Sequence, residues 1–203
     1  MRTDDFDYVL PEDLIAQAPV EPRDSSRLLL LDRTSDELQH RNFSNLPEYL
    51  ESGDVMVFND ARVFPARLYG RKLRGGKPVG GKVEILLLEQ TAEDTWRAIG
   101  RPGRRLRKGT TFKLDSLRNE LVEVLQVADD GVRTVRFPVG LDLSAAGTVP
   151  LPPYIKLPLN NSERYQTVYA RSEGSVAAPT AGLHFTENLL DNIRVLGVEA
   201  VFV

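Results

Sequence analysis

The residues best suited to chemistry lie in one uninterrupted stretch, Ser175-Val176-Ala177-Ala178-Pro179-Thr180-Ala181-Gly182-Leu183-His184-Phe185-Thr186. Small side chains dominate it, so a ligand or another backbone can approach closely. Pro179 and Gly182 impose an irregular path that delivers His184 to the expected start of a helix. Histidine titrates near neutral pH, and a helix N-terminus disfavours its charged form. A neutral imidazole beside backbone N–H donors suits proton abstraction. A histidine that merely satisfies a turn fits the same residues, and spacing alone does not separate the two.

Other apparent sites fail on chemistry. Gly76-Lys77-Pro78-Val79-Gly80-Gly81-Lys82-Val83 approaches the phosphate-binding pattern Gly-x4-Gly-Lys-Ser/Thr. Val83 offers no hydroxyl to a magnesium ion, and a strand is expected where that motif needs a helix. No Gly-x-Gly-x-x-Gly occurs, so the dinucleotide fingerprint is absent. Ser175 and His184 lack a nucleophile elbow, which argues against a serine hydrolase. His40 and His184 lack the spacing of helical metal ligands.

Basic residues form two clusters. Arg62, Arg67, Arg71, Lys72, Arg74, Lys77 and Lys82 follow one another with no intervening acid, and Arg101, Arg104, Arg105, Arg107 and Lys108 come next. The chain as a whole carries −3, from 26 basic and 29 acidic side chains. One phosphate-binding face on a mildly acidic protein is compatible with this, as are solvated hairpin tips.

Three regimes must position these groups. Up to about Phe64, helix and strand mix: Pro11–Ile15 opens a short helix, Arg27–Asp32 and Asp54–Asn59 read as buried strands, and Leu46–Leu50 as a helical turn. From Pro65 to Gly147 the pattern is strand-like, in segments Ala66–Leu73, Lys82–Glu89, Thr95–Arg101, Thr110–Leu114, Glu120–Val127 and Arg133–Phe137. Short strands separated by glycine-rich or charged turns predict a small antiparallel barrel. After Pro150, Asn161–Ala170 reads as a helix with Tyr165 and Tyr169 on one face, and Arg171–Phe185 as non-helical. Thr186 then caps a helix carrying Leu189, Leu190, Ile193 and Leu196, which Gly197 closes before a strand over Val198–Val203. The expected fold is mixed α/β (α+β) with a mixed sheet: residues 1–64 and 148–203 form a discontinuous α/β domain, and 65–147 an inserted β-barrel.

Composition bounds the class. The 203-residue chain is 41% hydrophobic and has no cysteine, so thiolate nucleophiles, disulfides and thiolate metal sites drop out together. No apolar run reaches membrane-spanning length, and the acidic start Met1–Asp7 is no secretory signal; the expectation is a soluble cytoplasmic protein.

Pro19–Arg33 (PVEPRDSSRLLLLDR), His40–Leu50, Phe58–Leu68 (FNDARVFPARL), Gly80–Leu88, Arg101–Gly109, Leu151–Ile155 (LPPYI), Arg164–Ala170 (RYQTVYA) and SVAAPTAGLHFT together resemble the S-adenosylmethionine:tRNA ribosyltransferase-isomerase family of queuosine biosynthesis, in the same order along nearly the whole chain. Ala61 stands where the family usually has threonine, the Arg74–Gly81 loop looks long, and Arg107-Lys108 is unusually basic. The resemblance implies further α/β chain beyond Val203, so a C-terminally truncated chain is expected, with apolar surface near Val201 and Phe202.

The resemblance also implies a reaction. The ribosyl group of S-adenosylmethionine would be transferred and isomerised onto 7-aminomethyl-7-deazaguanine (preQ1) at the wobble position of tRNA, giving epoxyqueuosine-tRNA, adenine and methionine. S-adenosylmethionine is then a substrate, and no metal or cofactor is expected. His184 would be the base, with Asp60 and Thr180 as further catalytic candidates. Tyr154 and Tyr169 would face the sulfonium, and Tyr165, Asn59, Arg62, Arg67, Ser175 and Thr186 would also hold substrate. Arg101, Arg104, Arg105, Arg107 and Lys108 would contact tRNA phosphates. A monomer is expected. A non-catalytic RNA-binding β-barrel and an inactive fragment of the enzyme stay open as alternatives.

Overall fold

The computed structural model describes residues 2–116 and 120–203. Its strands are β1 (Arg27–Leu31), β2 (Leu38–Asn42), β3 (Val55–Phe58), β4 (Ala61–Val63), β5 (Arg67–Arg74), β6 (Lys77–Ala92), β7 (Thr95–Arg101), β8 (Thr111–Leu114), β9 (Leu121–Val127), β10 (Arg133–Arg136), β11 (Ser172–Ser175) and β12 (Glu199–Phe202). Two α-helices, α1 (Leu143–Ala146) and α2 (Glu187–Val195), and several 3₁₀ turns complete it. The result is a mixed α+β fold. The chain divides into two compact units, one of Met1–Phe58, Leu151–Val168 and Thr180–Val203, the other of Asn59–Pro150 and Tyr169–Pro179. The barrel's unit therefore also takes in Tyr169–Pro179, part of the stretch first assigned to the discontinuous domain.

Inward and outward alternation, interrupted by bulges, builds the barrel of the second unit. Strands β10-β7-β6-β5-β8-β9 close into an antiparallel barrel, with β9 pairing back onto β10. Closure leaves no open edge within the barrel. Leu68, Val83, Ile85, Leu87, Ala98, Phe112, Leu114, Val122, Val124 and Val135 fill its interior. Gly70 permits the close crossing of β5 and β8, because a Cβ there would stand 2.4 Å from the Lys113 carbonyl oxygen. The basic loop expected at Arg74–Gly81 is mostly strand. Gly75 and Gly76 both take positive φ, a two-residue turn that lets Arg74 pair with Lys77. In the same unit, β4 and β11 form a short parallel pair.

The first unit holds two separate strand pairs, antiparallel β1-β2 and parallel β3-β12. Neither β1 nor β3 is the buried strand its apolar run suggested. Leu29 is 58% and Val57 65% exposed, because each strand is covered on one face only. Leu46–Leu50 falls within a longer 3₁₀ segment, Phe43–Tyr49, and Pro11–Ile15 reduces to a 3₁₀ turn at Glu12–Leu14. The helix expected over Asn161–Ala170 shrinks to the 3₁₀ turn Ser162–Tyr165. Arg23 explains the stop: its guanidinium binds the carbonyls of Glu163 and Gln166, which a continuing helix would need. Tyr165 and Tyr169 consequently share no helical face.

Helix α2 follows its pattern. Thr186 caps it by accepting from the Leu189 N–H, Gly197 follows at φ +90°, and Leu189, Leu190 and Ile193 are buried. Leu196 instead falls on the C-cap and is largely exposed. Phe185 packs edge-on against Phe43 and Phe58, and Phe58 stacks on Phe202, so the residue after His184 is anchored in an aromatic core. Val201 remains partly exposed beside it. No helix among the described residues is long and apolar enough to cross a membrane, which leaves membrane β-barrels aside.

Candidate functional site

A four-residue turn organises the surroundings of His184. Arg23-Asp24-Ser25-Ser26 immediately precedes β1, and three of its side chains reach the segment Leu183–Thr186. The Arg23 guanidinium donates to the Leu183 carbonyl at 3.2 Å. The Ser26 hydroxyl lies 2.8 Å from His184 Nδ1, and the Thr186 hydroxyl donates to Asp24 at 2.9 Å. The same Thr186 oxygen caps α2, so one side chain joins turn, loop and helix. Phe43 covers the imidazole at 5.2 Å between ring centres.

This arrangement fixes the ring and leaves one nitrogen for work. With Nδ1 engaged by Ser26, Nε2 is the nitrogen available to a substrate. Which partner carries the shared proton depends on the tautomer. The expected placement at a helix start is corrected: His184 closes the 3₁₀ turn Thr180–His184 and stands outside α2, two residues before its first helical turn closes over Thr186. The ring is fixed instead by the hydrogen bond between Ser26 and Nδ1. The segment Arg171–Phe185, read as non-helical, contains this 3₁₀ turn as well as β11.

A cavity of about 260 Å³ lies in the same unit. Ala16, Ala18, Pro19, Leu151, Ile155, Leu159 and Leu183 make it largely apolar, while Gln17, Tyr154, Arg164, Tyr165 and Thr180 bring the polar groups. Arg164 is held by Glu21 and by the Val20 carbonyl. Burial, followed by the charge of Arg164, lowers the pKa of Arg23, which Glu21 and Glu163 partly offset.

Of the site residues expected from sequence, His184, Thr180, Thr186, Tyr154 and Tyr165 fall in this unit. Asn59, Asp60, Arg62, Arg67, Tyr169, Ser175 and the run Arg101–Lys108 belong to the barrel's unit. There, Asn59 accepts from the Ala61 N–H through its side chain, and the Asp60 carbonyl accepts from Arg171 and Ser172. The Ser175 hydroxyl closes a local turn with Ala177. Arg67 pairs with Glu84, Arg62 is half-buried, and Tyr169 is buried, which pushes its phenol pKa up. Sequence reading missed Ser26, Asp24 and Arg23 as individual side chains. The available signal was a polar tetrad set directly against an apolar run.

The basic loop has an internal anchor that was also missed. Arg133, 7% exposed, sends its guanidinium to the carbonyls of Leu106, Gly103 and Gly131. A buried cation on three carbonyls holds the chain from Gly103 to Leu106 against the barrel. Arg101, Arg104, Arg107 and Lys108 are left exposed, and none makes an ion pair among the described residues. No three His, Cys, Asp or Glu side chains gather to hold a metal ion among the described residues.

A profile of the family described as queuosine biosynthesis protein matches residues 3–203. The S-adenosylmethionine:tRNA ribosyltransferase-isomerase of Desulfitobacterium hafniense is 50% identical over 207 residues, covering 99% of this chain and 59% of the relative. That of Clostridioides difficile is 48% identical over 208 residues, covering 100% and 59%. The crystal structure of S-adenosylmethionine tRNA ribosyltransferase from Thermotoga maritima is 35% identical, with a TM-score of 0.39, over 98% of this chain and 56% of that one. The chain thus spans about three fifths of the length of the curated relatives it matches.

Proposed function

The chain belongs to the queuosine biosynthesis protein family, and from that premise we propose that it carries substrate-handling residues of an S-adenosylmethionine:tRNA ribosyltransferase-isomerase. The reaction moves and isomerises the ribosyl group of S-adenosylmethionine onto preQ1 at the tRNA wobble position, releasing adenine and methionine. S-adenosylmethionine enters as a substrate, and the chemistry calls for no metal. The observation that carries this reading is the grip of Arg23, Asp24 and Ser26 on the His184 segment.

A proton must leave the carbon next to the sulfonium. His184 Nε2 accepts it, while Nδ1–H donates to Ser26 and holds the ring in place. Departing adenine needs hydrogen-bond donors. Among the hydroxyl-bearing residues that line the apolar cavity, Thr180 and Tyr165 are the candidates, and Asp60, in the barrel's unit, is the acidic candidate. Tyr154, exposed on the cavity wall, supplies an aromatic face to the sulfonium. Asn59, Arg62, Arg67, Tyr169, Ser175 and Thr186 hold or shape substrate, and Arg101, Arg104, Arg105, Arg107 and Lys108 contact tRNA phosphates.

Replacing His184 with alanine tests the assignment. Adenine release from S-adenosylmethionine with preQ1-containing tRNA should fall by about 10²–10⁴, the usual contribution of a general base, with tRNA binding retained. Turnover within a few-fold of the parent chain would end His184's candidacy. A binding-only reading rests on the unpaired cations of the Gly103–Lys108 loop, and it gains if the parent chain binds tRNA yet releases no adenine.

A further inference from the structure

Strand register places three cations side by side on the outside of the barrel. Lys113 of β8 stands directly opposite Arg71 of β5, and Arg71 directly opposite Lys82 of β6. Their chain neighbours Phe112, Gly70 and Val83 are buried, so alternation turns all three outward. Like charges directly opposite one another across strands repel. Among the described residues a single carboxylate, Asp115, forms ion pairs with this row, at 3.8 Å from Arg71 and 3.6 Å from Lys82. Lys113 has no ion pair among the described residues.

The ladder joins the basic loop. Arg105 lays its guanidinium along β6, donating to the Lys82 carbonyl at 3.3 Å, and a Cβ at Gly81 would stand 2.8 Å from it. Arg101 of β7 stands opposite Glu84, the next outward residue after Lys82, in the strand register. Two clusters separated in sequence therefore meet on one face. Glu84 there is already engaged by Arg67. Lys82 also lies 5.2 Å above the Tyr69 ring, which presents an aromatic surface beside the cations.

We propose that Lys113, Arg71 and Lys82, together with Arg105, form a phosphate-binding surface for the RNA backbone, continuous with the loop Arg101–Lys108. The proposal rests on the tRNA-binding reading above and extends it to three strand residues. The row keeps an excess of positive charge in the free protein, with one carboxylate to answer three cations, whereas a chain of phosphates spaced along it neutralises every member. The row offers phosphate contacts without base readout, so it sets affinity and orientation rather than sequence choice.

The test measures tRNA affinity against salt concentration for the parent chain, Lys113→Gln, the pair Arg71→Gln with Lys82→Gln, and Arg104→Gln with Arg107→Gln. Each lost contact should flatten the log–log slope by about 0.7–0.9. A flatter slope in both ladder variants supports the proposal. An unchanged slope in the ladder variants with a flatter one in Arg104→Gln/Arg107→Gln overturns the proposal and leaves the loop reading standing. The reverse pattern overturns the loop reading alone, and a parent chain without salt-dependent binding overturns both. Thermal unfolding at low salt adds a readout free of RNA. Lys113→Gln should melt no lower than the parent, since it removes repulsion, and a clear loss of melting temperature would show that Lys113 serves the fold instead.

Discussion

At the residue scale, the imidazole of His184 is set by a neighbour 158 positions away in sequence, Ser26. The hydroxyl has no obligation to donate or accept, so the chemistry of the ring depends on which nitrogen keeps the proton. A base working through Nε2 requires Nδ1–H toward Ser26. Nitrogen-15 spectra of the imidazole should show that tautomer in the parent chain. Ser26→Ala should return the ring toward the Nε2–H tautomer that a free histidine side chain favours. Nε2–H in the parent chain would mean that Ser26 donates, and the assignment of Nε2 as the accepting atom would fall. The SVAAPTAGLHFT stretch pointed to His184 before any contact was visible, because small residues around a single titratable side chain limit the choices. Ser26 and Asp24 were out of reach at that stage, since hydrogen bonds across 158 and 162 residues leave no local pattern.

At the element scale, the barrel was legible because its strands announce themselves twice, by alternation and by turn residues. The pairs Gly75-Gly76 and Asp130-Gly131 fall where the chain reverses, with positive φ at Gly75, Gly76 and Gly131. Gly70 carries a different load, the close approach of β5 to β8. Gly70→Ala should force those strands apart or bend β8, costing about 1–3 kcal/mol as overpacking does; urea unfolding measures it. A variant as stable as the parent would show that the crossing relaxes freely. Helices were read less well. Asn161–Ala170 has helical spacing, yet Arg23 draws off the carbonyls of Glu163 and Gln166. The apolar runs of β1 and β3 looked buried on both faces because a run of leucines or valines does not state how many partners it has.

At the scale of the whole molecule, the two units differ in how they are held. The barrel has a contiguous interior of buried aliphatic side chains and Phe112, whereas the first unit leans on an aromatic group, Phe43, Phe58, Phe185 and Phe202, with α2 beside it. Tyr8, Val9, Val55 and Val57 are largely exposed in that first unit. The only tryptophan, Trp96, lies in β7 and stacks on Phe64 at 5.6 Å, so its fluorescence reports the barrel alone. Helix α2, the longest helix among the described residues, belongs to the other unit. In a urea titration, the helical signal in circular dichroism should be lost before the tryptophan signal. Coincident transitions would show that both units unfold as one cooperative body.

The sequence by itself determined the family and the antiparallel barrel and singled out His184 as a candidate, since each rests on residues that are contiguous or regularly spaced. Tertiary structure alone decided what surrounds them. It decided that Ser26 and Asp24 grip the His184 loop, that Arg133 anchors the basic loop from inside the barrel, and that Lys113, Arg71 and Lys82 stand in one row. Each of these depends on strand register or on a contact between distant segments. The physical reason is common to all three: propensity and periodicity act over a few residues, while register and long-range hydrogen bonds are settled only when the chain closes on itself.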